Sequence, residues 1–149
     1  MRKPSAKFEY KTFTLGEKLT EEQKEYFKKY GVIHFKKFIE PETAELFISE
    51  LAKIEKQWLE EGIEKVKGIP LKFGKDHEGN PMIQRMCFTN QFSPILAELI
   101  RDPRLQLLIE LLAPYEGRIS EDEKDGLVFN HYINQPNSKF SQMGWHTDS

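Results

Sequence analysis

Gly144-Trp145-His146-Thr147-Asp148-Ser149 is the stretch on which the fold assignment turns. His146 and Asp148 stand two residues apart, so on an extended backbone both side chains leave the same face and can converge on one point. An imidazole nitrogen and a carboxylate oxygen are two of the three protein ligands of the facial triad that holds non-haem Fe(II) with positions left open for substrate chemistry. The same spacing also suits a surface turn in which Asp148 caps a backbone amide and His146 is solvated. Both readings stand on spacing alone.

Working back from this bidentate claw of His146 and Asp148, the polar loop Gln135 to Gly144 follows a predicted strand, Leu127 to Asn134. Alternation along it places Phe129, His131 and Ile133 on one face and Val128, Asn130 and Tyr132 on the other. Strand, loop and claw form one unit, a hairpin suited to the metal-bearing edge of a barrel. The acidic run Ser120 to Gly126 before it is expected to be solvated.

Further upstream the punctuation is clear. Thr20-Glu21-Glu22-Gln23 is a capping box that starts a helix at Glu21, and Gly31 stops it after Tyr30. Val32 to Phe38 is expected as a strand with His34 as a packing or edge residue. Pro41 opens a long helix whose Phe47, Leu51, Ile54 and Trp58 form one stripe, a pattern that makes Trp58 a core residue, and Gly62 ends it. Ile69 to Phe73 and Met82 to Phe88 are expected as paired strands. The turn between them, Asp76 to Pro81, spreads its Asp76, His77 and Glu78 in different directions and is expected as a solvated loop. Gln84 and Arg85 fall on opposite faces of the second strand; whichever faces the sheet interior needs a polar partner, and such a residue could meet a substrate carboxylate. Ser93-Pro94 and Asp102-Pro103 each announce a short helix; the second carries Leu105, Leu108, Leu111 and Leu112 as an apolar face and ends before Pro114.

The chain of 149 residues suits a single domain spanning 1–149. Its net charge of −2 comes from interspersed lysines and glutamates, with no basic stripe for nucleic acid. A lone cysteine, Cys87, excludes an intrachain disulfide and points to a reducing compartment; it is expected as a small buried residue of a strand. No apolar run reaches the ~20 residues of a membrane span, and no signal peptide is evident, so the expectation is a soluble, cytoplasmic protein.

In this order of pieces the chain resembles the phytanoyl-CoA dioxygenase family of Fe(II)- and 2-oxoglutarate-dependent oxygenases. The resemblance runs from Leu19-Thr20-Glu21-Glu22-Gln23 through Phe27 to Tyr30-Gly31-Val32, continues at Arg101-Asp102-Pro103-Arg104-Leu105, and closes with Ile133-Asn134-Gln135-Pro136 and Trp145-His146-Thr147-Asp148-Ser149. It implies an α+β fold: N-terminal helices followed by the first strands of a double-stranded β-helix, or jelly roll, with the barrel incomplete in this chain. It implies His146 and Asp148 as the first two iron ligands and His131 as a residue of the 2-oxoglutarate pocket. The implied activity is hydroxylation of a small organic or acyl substrate by O2, with 2-oxoglutarate decarboxylated to succinate. Related halogenases leave the carboxylate position to a small residue, so Asp148 points to hydroxylation.

The family's distal histidine and the arginine that pairs with 2-oxoglutarate have no match here, because His34, His77 and His131 all precede the claw. The expectation is that residues 1–149 are the N-terminal part of a longer enzyme. The alternative is a truncated, non-catalytic relative that acts as a binding module through its open strand edges.

Overall fold

Thr20 caps the first helix, as the capping box requires. In the computed structural model, which describes residues 7–133 and 144–147, its hydroxyl accepts from the Gln23 amide at 3.2 Å while the Gln23 side chain accepts from the Thr20 amide at 3.0 Å. The described elements are, in order, β1 (Thr12–Phe13), α1 (Glu21–Tyr30), β2 (His34–Phe35), α2 (Pro41–Glu60), β3 (Lys65–Val66), β4 (Ile69–Pro70), β5 (Lys72–Lys75), β6 (Pro81–Met86), α3 (Pro94–Ile100), α4 (Pro103–Ile109) and β7 (Phe129–Asn130). Single 3-10 turns follow β6, at Thr89–Gln91, and α4, at Glu110–Leu112. The architecture is mixed α+β, and among the described residues the small sheets close no barrel and form no jelly roll. No described helix is long and apolar enough to cross a membrane.

The chain divides into two compact units, one made of the residues up to Ala44 with Asp102–Ile119, the other of Glu45–Arg101 with the residues from Ser120 onward. In the first, α1 ends on Gly31, whose φ of 71° is the left-handed conformation a glycine adopts without penalty. Phe13 lies edge-on to Tyr26 at 5.1 Å, and the Tyr26 hydroxyl donates to the Glu9 carbonyl at 2.6 Å, tying the N-terminal arm to the helix. Strand β1 pairs in parallel with β2 through Thr12↔His34 and Phe13↔Phe35. The expected strand Val32 to Phe38 is thus cut to two residues, because the backbone turns at Lys37, where φ is +56°. Helix α4 starts at the Asp102 cap as expected. Its leucine face is only half-covered: Leu105, Leu108 and Leu111 are half-buried and Leu112 is exposed.

The second unit holds the main core. Ile54 and Trp58 of α2 pack with Val66, Leu71, Ile83, Met86, Cys87, Phe88 and Leu96, and Phe47 and Leu51 extend the same stripe at its edge. Trp58, at 2% exposure, is the core residue that its periodicity demanded. The sheet beside it has the order β5-β6-β7, all antiparallel. The expected strand Ile69 to Phe73 is broken at Leu71: its first residues pair back onto β3 around a tight Lys67-Gly68 turn, both with positive φ, and β5 begins only at Lys72.

Two expectations near the C-terminal strand need correction. The strand Leu127 to Asn134 is reduced to Phe129–Asn130, since the residues before it are drawn onto the 3-10 turn instead; Leu127 accepts from the Thr89 amide and hydroxyl and donates to Asn90 Oδ1. Asn134 lies outside the described residues. The run Ser120 to Gly126 is not simply solvated. Glu121 and Asp125 are half-buried and hold Arg101 and Arg85, and the Glu121 carbonyl accepts from Asn90 Nδ2 at 2.7 Å.

Candidate metal centre

The hairpin β5–β6 is closed by the Asx geometry of Asp76, whose Oδ1 accepts from the amides of Glu78 and Asn80 at 2.9 and 2.8 Å. Those bonds, the Asn80 amide first, hold the Asp76 carboxyl below its usual range. His77 and Glu78 are exposed beside it, so this turn is the solvated loop its sequence suggested.

Strand β6 places Gln84 and Arg85 on opposite faces, the first buried and the second half-buried. Gln84 is 7% exposed, and its Oε1 is a buried acceptor with no hydrogen-bond partner among the described residues. Its side chain lies over Gly74 of β5: a Cβ on Gly74 would stand 2.4 Å from Gln84 Nε2, so glycine is what lets the carboxamide occupy this place. Arg85 instead pairs with Asp125, forty residues on, which local sequence could not reveal. Cys87 is buried as expected but lies just past the end of β6 rather than in a strand, and burial pushes its thiol up, keeping it protonated.

Of the residues singled out by sequence, His131 continues the sheet through its backbone, its amide donating to the Gln84 carbonyl at 2.7 Å, while the residue as a whole is exposed and Ile133 is buried. His146 is exposed, and its Nδ1 lies 2.8 Å from the Gly144 carbonyl. With the proton on Nδ1 donated to that carbonyl, the lone pair of the neutral ring sits on Nε2, the tautomer a metal-ligating histidine takes when a backbone carbonyl orients it. Asp148 lies outside the described residues. His34 lies on β2 of the first unit, with its Nδ1 hydrogen-bonded to the Tyr10 hydroxyl. Among the described residues no group of three or more His, Cys, Asp or Glu is placed to hold a metal.

The supports around the sheet were invisible in the sequence. Glu55 of α2 accepts from the Ile83 amide at 2.8 Å, and Glu50 accepts from the Ser93 hydroxyl at 2.8 Å. Lys53, and after it Ser93, hold the Glu50 carboxyl below its usual range. A helix carboxylate reaching a strand amide 28 residues away has no local signal. Comparison of the chain with protein-family models, with curated proteins and with solved structures found no match.

Proposed function

We propose that residues 1–149 belong to an Fe(II)- and 2-oxoglutarate-dependent dioxygenase that hydroxylates a small organic or acyl substrate, with β5–β6–β7 among the opening strands of a jelly roll. The observation that supports it is the His146 ring, oriented by the Gly144 carbonyl two residues before Asp148. His146 Nε2 and the Asp148 carboxylate would hold the metal, and the resemblance assigns the third ligand, a histidine, to residues beyond these. When bound, iron and 2-oxoglutarate supply O2 activation, one oxygen atom passing to succinate as CO2 leaves and the other to the hydroxylated product. The work of this chain is to hold the imidazole in one tautomer. The resemblance adds His131 to the 2-oxoglutarate pocket.

The test uses the full polypeptide, its intact mass measured first. With Fe(II), 2-oxoglutarate and O2 it is expected to form succinate, and His146→Ala to lower that rate by at least about a hundredfold, the scale of losing a group that positions the reacting centre. Succinate formation unchanged in His146→Ala, or absent from a full-length protein that retains iron, would overturn the proposal.

A further inference from the structure

Helix α4 and the residues after it, with the Gly16–Glu17 turn, line an open trough of about 860 Å³ within the first unit. Its apolar lining comes from Leu107 and Ile109, half-buried, and from Pro103, Pro114 and Tyr115, the last 80% exposed. Its charge is one-sided. Glu17, Glu110 and Glu116 are exposed carboxylates, and none has an ion-pair partner among the described residues. The one cation in the lining, Arg104, is already engaged: Nε and Nη2 hold Asp102, Nη1 donates to the Phe38 carbonyl at 2.7 Å, and the guanidinium lies 4.1 Å above the Phe38 ring.

A small molecule needs an enclosing site that covers most of its surface, and this trough is largely open. An extended segment brings its own area and needs no enclosure. An exposed tyrosine beside prolines favours the preformed polyproline conformation, which docks on aromatic-lined grooves, and three unpaired carboxylates select for cations. We propose that the trough is a docking site for a basic, proline-containing extended segment of a partner protein, its arginines reaching Glu110 and Glu116 and its apolar residues packing on Tyr115 and Leu107. Tyr115 can also take an arginine over its ring face. This inference does not depend on the iron chemistry.

The probe is a short fluorescent peptide of alternating arginine, proline and leucine, with a counterpart carrying glutamate for arginine, titrated by anisotropy. Binding of the basic peptide is expected to be at least about tenfold tighter, and Tyr115→Ala and the double variant Glu110→Lys/Glu116→Lys are each expected to weaken it by about tenfold or more. Glu25→Lys, an exposed charge change on α1 outside the trough, is the control and should leave affinity within about twofold. Equal binding of both peptides, no binding, insensitivity to the trough variants, or equal weakening by Glu25→Lys would overturn the proposal. So would a dimer in sedimentation that Tyr115→Ala dissociates, which would make a second copy of the chain the occupant.

Discussion

Gln84 keeps a carboxamide oxygen out of water with no donor facing it among the described residues, an arrangement that costs about 1–3 kcal/mol in most proteins. Replacing it with a flexible apolar side chain of similar length removes that cost. Gln84→Met is therefore expected to raise the urea midpoint, a gain of about 1 kcal/mol, and a comparable loss would mean that Oε1 has a donor after all. The burial of Gln84 was legible as one of two possibilities, because alternation along β6 sets Gln84 and Arg85 on opposite faces. What alternation could not supply was the partner: Arg85 finds Asp125, and the Gln84 side chain finds its space in a missing Cβ on the neighbouring strand.

At the level of elements, the helix starts were written in short motifs and came out as written, since a cap is settled by three or four consecutive residues. Strand lengths were not. A strand lasts as long as a neighbour pairs with it, and the residues before β7 pair with a 3-10 turn whose existence nothing local announces. The Asp102 cap also carries a pH dependence. Arg104, chiefly through its side-chain hydrogen bonds, holds the Asp102 carboxyl below its ordinary value of 3.8 in the folded chain. A depressed folded value means that the ionised group stabilises the fold above the ordinary range and that this contribution fades as the pH falls through the lower, folded value. Asp102→Asn keeps an acceptor for the Arg104 amide and discards the charge. It is expected to be less stable at neutral pH by about 0.2–1 kcal/mol, the range of an exposed pair, with the difference vanishing in acid. A difference that persists unchanged in chemical denaturation at low pH would mean that the charge of Asp102 is not its source.

For the whole molecule, the claw was legible as a spacing and its ring orientation as nothing at all, because the Gly144 carbonyl that meets Nδ1 is a backbone atom. A ligand that binds only the folded state raises its stability by mass action, about 2.7 kcal/mol at a hundredfold excess over Kd. Fe(II) with 2-oxoglutarate, kept anaerobic, is therefore expected to raise the thermal midpoint of the full polypeptide but not of His146→Ala. An equal rise in both would place the binding elsewhere. The path of the chain has a consequence for how it is made. It passes between its two units at Ala44–Glu45, Arg101–Asp102 and Ile119–Ser120, so each unit is assembled from two separated segments. On the ribosome, neither unit can be completed until residues beyond Arg101 have emerged, and no cut at one end of the chain releases either unit whole. The loop entropy of those returns is met before the contacts that offset it form, which delays completion of both units until their second segments arrive.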